Sequence, residues 1–83
     1  LCTYVTTTVE LAGSAKGPQG WFPATSATVY FDHPVHAPAE HTLNVDVVNA
    51  GIGPGSRVAL ELDPAAARAL AEAILATLQT VDA

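Results

Sequence analysis

All three histidines of the chain fall within ten residues, Asp32-His33-Pro34-Val35-His36-Ala37-Pro38-Ala39-Glu40-His41. Neutral imidazole is a good ligand for zinc, copper, iron and nickel, and nothing in the sequence chooses among these ions. The spacing H-x2-H-x4-H is not a standard structural-zinc signature, so the residue types carry the signal more than the motif does. Pro34 and Pro38 stiffen the stretch by fixing their backbone φ. Asp32 and Glu40 flank it, placed to accept the second ring N–H of a ligating imidazole and so fix its orientation. The competing reading is a structural loop, in which the same histidines bond only to loop carbonyls and to these carboxylates.

The chain has one cysteine, Cys2, which excludes an internal disulfide. A thiolate beside imidazoles is a candidate fourth metal ligand, alongside His33, His36 and His41. It is also a candidate nucleophile for a thiol-dependent enzyme, since a neighbouring base and a helix N-terminus both favour the thiolate. No oxyanion hole or third triad member is legible, so whether the protein is an enzyme stays open. Leu1 in first place reads as an initiator codon written literally, which would put Cys2 next to the initiating residue.

The elements around the histidines follow from apolar spacing. Val5, Val9 and Leu11 alternate with Tyr4, Thr6, Thr8 and Glu10, a period-two strand over 3–11. Glycines 13, 17 and 20 with Pro18 read as a mobile loop, and Lys16 precedes them in the wrong order for a phosphate loop. Trp21 and Phe22 are expected to anchor that loop on the core. Strands follow over 25–33, 42–48 and 57–62, with Ala27, Val29, Phe31, Leu43, Val45, Val47, Val58, Leu60 and Leu62 inward. His33 and His41 share that inward parity. Tyr4, Tyr30, Thr6, Thr8, Thr28 and Val48 are assigned outward, as a solvated face or a sheet-to-sheet dimer surface. Asp63-Pro64 starts a helix, with the carboxylate as N-cap and proline at the first helical position. Ala67, Leu70, Ala71, Ile74, Leu75 and Leu78 then form an apolar stripe on a helix ending near Gln79.

Short connections favour a meander. The expected fold is α+β, a single domain over 1–83. It has a four-stranded, mainly antiparallel sheet with one C-terminal helix packed on one face. Such a meander gathers Cys2, His33, His41 and the helix N-terminus at one sheet edge, with His36 in the loop above. Paired across a hairpin, His33 and His41 would have Cβ atoms ~5 Å apart. Cys2 has the opposite parity, so it joins only through a bulge, a strand-end twist or an oligomer interface.

Composition narrows the partners. Of 83 residues, 49% are apolar and 13% charged, more apolar surface than one thin core hides. A homo-oligomer, dimer or higher, is therefore expected. The net charge of −5, with Lys16, Arg57 and Arg68 as the only fixed cations, argues against nucleic acid and anionic membranes. No apolar run approaches the ~20 residues of a membrane span. No charged segment followed by an apolar one opens the chain, so a signal peptide is not expected and the cytoplasm is.

Four segments together carry a resemblance: Cys2-Thr3-Tyr4-Val5-Thr6, Gly13-Ser14-Ala15-Lys16-Gly17, Gly20-Trp21-Phe22, and the stretch from Asp32 to Asn44. The chain resembles, over essentially its whole length, a family of small uncharacterised proteins from high-GC Gram-positive bacteria, a domain of unknown function. Members usually begin Met-Cys-Thr-Tyr, which fits Leu1 standing for the initiator. The resemblance implies no activity. The functional expectation is a small metal-binding protein with a site at His33, His36, His41 and Cys2, open at one position. The alternatives are a non-enzymatic accessory or interaction module, or thiol chemistry at Cys2.

Overall fold

The computed structural model describes residues 6–33 and 41–81. Cys2, Tyr4, Val5, His36 and Glu40 lie outside these. The chain runs β1 (Thr6–Gly17), β2 (Gly20–Asp32), β3 (Thr42–Val48), β4 (Arg57–Leu62) and α1 (Pro64–Thr80). The strands form one antiparallel sheet in the order β1-β2-β3-β4. This is the expected α+β meander with a C-terminal helix.

The glycine-rich stretch corrects one expectation. It is no loop: β1 runs on to Gly17, and β2 starts at Gly20 after only Pro18 and Gln19. Proline fits the start of a tight turn, and Gly20 follows at φ 106°, where L side chains are disfavoured. The register shifts between Glu10 and Gly13. Such a bulge bends a strand and increases its twist. The sheet curls enough for its outer strands, β1 and β4, to touch. At Gly17 an added Cβ would sit 3.2 Å from both the Phe22 ring and the Arg57 carbonyl oxygen. Glycine is the residue that permits this approach.

Register sorts the side chains into two faces. One carries apolar rows: Val9, Ala27, Val47 and Val58; then Val29, Val45 and Leu60; then Phe31, Leu43 and Leu62. The other carries Thr8, Thr28 and Asp46, then Thr6, Tyr30, Asn44 and Glu61, with Ala24 and Phe22 beyond the bulge. The expected inward and outward assignments do not hold as drawn. Thr42 and Asn44, on the polar side, are fully or almost fully buried, as are Phe22 and Ala24. On the apolar side Ala27 is buried, but Val9 and Leu60 are 47% and 40% exposed.

The buried polar groups are satisfied. Thr42 Oγ1 donates to Asn44 Oδ1 at 2.7 Å; in the exposed part of the same face, the Thr8 and Thr28 hydroxyls meet at 3.5 Å. Asp46 takes two partners. Tyr30 Oη donates to its Oδ2 at 3.3 Å, and Arg57 Nη2 to its Oδ1 at 2.8 Å. Tyr30 is thus part of a cross-strand network and half-buried, rather than an outward contact.

Trp21 and Phe22 also divide. Phe22 is buried at 7% exposure, whereas Trp21 is 71% exposed. Both lie in β2, where consecutive side chains point to opposite faces, so the pair cannot anchor together.

The helix starts as expected. Asp63 Oδ1 accepts the Ala66 N–H at 2.7 Å, with proline in the first turn. The helix touches β3 and β4. None of its residues is buried, and Ala67 alone is half-covered. Leu70, Ile74, Leu75 and Leu78 are all exposed. A single residue, Asp63, joins Leu62 of β4 to Pro64 of α1. Connections that fold a helix back onto its own sheet usually take about 2–6 residues. No helix among the described residues is long and apolar enough to cross a membrane.

Candidate functional site

The edge that the meander was expected to form is present. Asp32 pairs with Thr42, and Leu43 with Leu62, so the β2 end, the β3 start and the β4 end lie side by side. Thr6, the first residue of β1, pairs with Tyr30 near the same edge. Asp63 and the helix N-terminus follow directly from Leu62.

One step beyond the last pair, the register sets His33 opposite His41. Their rings stack, with centroids 4.4 Å apart and planes 27° from parallel. The His41 ring also stacks on Phe31, at 5.8 Å and 15°. These three rings share the apolar face, because His33, just past the end of β2, is two residues from Phe31, and His41 is across from it. His41 is half-buried and His33 exposed. The expectation that these two histidines meet across the hairpin therefore holds.

The local backbone is held at the same point. Asp32 Oδ1 accepts the His33 backbone N–H at 2.7 Å. Asp32 lies on the face opposite the rings by strand parity, which suits it to fixing the strand end. His36, Glu40 and Cys2 fall outside the described residues. Among the described residues no group of three or more His, Cys, Asp or Glu side chains forms that could hold a metal ion.

The chemistry of the pair follows from its geometry. In a neutral imidazole the unprotonated nitrogen has its lone pair in the ring plane, so stacked rings hold their lone pairs in near-parallel planes rather than aimed at a point between the rings. Two imidazoles on one tetrahedral ion at ~2.0–2.1 Å would have centroids roughly 5 Å apart. Taking an ion between them thus requires the rings to turn and part by a fraction of an ångström. Strand-end side chains, one of them exposed, have room for that rotation.

The polar network on the other face was not singled out in the sequence. Tyr30, Asp46 and Arg57 alternate with apolar residues, a pattern that reads equally well as a solvated face. Burial, then the Asp46 carboxylate and the hydrogen bond to it, raise the Tyr30 pKa above its ordinary 10.0, with Arg57 opposing. The network ties β2, β3 and β4 together and is structural chemistry.

A family model matches residues 1–83. The chain belongs to a family of unknown function, DUF6295. No curated protein matches the chain, and no solved structure does.

Proposed function

We propose that the protein binds a transition-metal ion at the histidine edge of its sheet. The ligands in this reading are His33, His41 and His36, with Cys2 as fourth ligand or that position left open to a substrate. Zinc, copper, iron and nickel all suit the donor set. One observation carries the reading: two of the chain's three histidines face each other at 4.4 Å on adjacent strand ends. The third sits in the short segment joining those strands. The net charge of −5 also favours a cation over an anion. A single cysteine suits a reducing compartment, and the cytoplasm is our reading of where the protein works.

The test is metal uptake by purified protein, measured by elemental analysis after dialysis against each divalent ion. One ion per chain is expected, lost in His33→Ala and in His41→Ala while circular dichroism stays unchanged. The Cys2→Ser variant reports whether the thiol is a ligand. A folded wild type that retains no ion would overturn the reading.

A second reading, a non-enzymatic interaction module, draws on a different observation. The apolar stripe of α1 is exposed along its length.

A further inference from the structure

We infer that Phe31 is a positioning residue of the histidine edge: its ring holds His41 as the preset ligand, and His33 is the ligand that turns to close on the ion. The inference rests on the metal reading and adds to it which ligand is held ready and what holds it.

Register brings the three rings within reach of one another. Phe31 pairs with Leu43 and Asp32 with Thr42, so His33 falls opposite His41 and Phe31 lies diagonal to it. Diagonal neighbours on one face of an antiparallel pair are within reach of aromatic side chains. The Phe31 and His41 rings use that reach, at 5.8 Å and 15° from parallel. That is the distance of an offset stack, an arrangement aromatic rings prefer over a face-to-face sandwich. The His33 ring is closer to His41, at 4.4 Å, but its plane is tilted further, by 27°. Burial differs as well. Phe31 and His41 are half-buried, whereas His33 is exposed and stands past the last residue of β2.

A metal ion lies in the plane of the imidazole that binds it, because the lone pair does. A neighbouring plate that fixes the plane of His41 therefore fixes the plane in which its ion must sit. The near-parallel His33 ring cannot offer its lone pair to the same point without turning. His33 has the room, being the exposed ring of the two. Asp32 Oδ1 accepts the His33 backbone N–H at 2.7 Å, so the movement is one of the ring and not of the main chain. Holding one ligand in place before the ion arrives removes part of the rotamer entropy that binding costs. Packing alone does not call for an aromatic ring at this position. Any bulky apolar side chain would fill the row of Phe31, Leu43 and Leu62, but only a ring can stack on His41.

The experiment uses the whole chain as wild type, as Phe31→Leu, which keeps apolar bulk and removes the plate, and as Phe31→Tyr, which keeps the ring. In the metal-free proteins, the proton resonances of the His41 ring are expected upfield of an unstacked imidazole in wild type and in Phe31→Tyr, and nearer to it in Phe31→Leu. Affinity for zinc, or for whichever of the four ions the wild type retains, should fall about two- to tenfold in Phe31→Leu and return in Phe31→Tyr. When zinc is added to wild type, nuclear Overhauser contacts between the Phe31 and His41 rings should persist, while those between His33 and His41 change. A Phe31 that served packing alone would move the unfolding midpoint and leave the affinity as it was. Unchanged or tighter binding by a folded Phe31→Leu therefore overturns the inference and leaves the metal reading standing. Should Phe31→Leu fail to fold, the zinc-loaded wild type decides, because loss of the Phe31–His41 contacts there overturns the inference by itself. A wild type that takes up none of the four ions overturns the metal reading and the inference together.

Discussion

On one face of the sheet, Thr42 and Asn44 are buried and bonded to each other at 2.7 Å. On the other, Val9 and Leu60 stay about half open beside an uncovered helix. The face with the polar sequence lies inside the curl of the sheet, and the face with the apolar sequence is half-buried, most open at Val9 and Leu60. Curvature accounts for the first half of this contrast. The bulge between Glu10 and Gly13 and the close approach at Gly17 wrap β1 toward β4, so side chains on that side shield one another. In the second half, α1 touches β3 and β4 while its own stripe at Leu70, Ile74, Leu75 and Leu78 stays exposed.

The contrast can be broken where it is sharpest, at two neighbouring residues. Phe22→Ala should destabilise the fold by about 3–5 kcal/mol, because it empties a packed site. Trp21→Ala should change stability by about 0.5 kcal/mol or less, since its ring is 71% exposed. Chemical denaturation of the two variants in parallel checks this. Equal losses would mean that the tryptophan, too, is covered in solution.

The next comparison sets the two faces against each other. Asn44→Ala leaves the buried Thr42 hydroxyl without its acceptor and should cost about 1–3 kcal/mol at any protein concentration. Leu60→Ala should cost less, about 1 kcal/mol or under, because the side chain it truncates is already 40% exposed. Chemical denaturation of the two variants in parallel measures the difference. An equal loss at the two positions would mean that Leu60 is covered in solution.

The smallest expected effect concerns the polar network. Folding raises the Tyr30 pKa above 10.0, chiefly by burial and then by the Asp46 carboxylate. Its contribution to stability is therefore complete below pH 10.0, the unfolded value, and is lost as the pH rises through the folded value. In a Tyr4→Phe background Tyr30 is the only tyrosine. Its ultraviolet titration should lie above that of the urea-unfolded chain, and Asp46→Asn should lower it. A native midpoint at or below the unfolded one would remove Tyr30 from the inside of the sheet.

Much of this was legible from residues alone. Alternating Val, Leu and Thr placed β3 and β4 at their observed bounds, and Asp63-Pro64 marked the helix start. Strand order and short connections were enough to bring His33 opposite His41. What misled was the meaning of glycine and of polarity. Three glycines between 13 and 20 read as a loop, yet they serve a hairpin that extends both strands. Tyr30 read as outward because polar residues usually are, and its cross-strand bond to Asp46 is what lets it sit half-buried.

The sequence by itself determined the number and order of the elements, the bounds of β3 and β4 and the start of the helix, and it made the meeting of His33 and His41 an expectation, because period-two and helical patterning are local and short connections favour a meander. Only the tertiary structure decided which face of the sheet is enclosed and that the helix stripe stays uncovered. Both depend on curvature and on the direction in which α1 leaves β4. Those are set by a bulge, a close glycine contact and a one-residue link, whose geometric effect no hydrophobic pattern records.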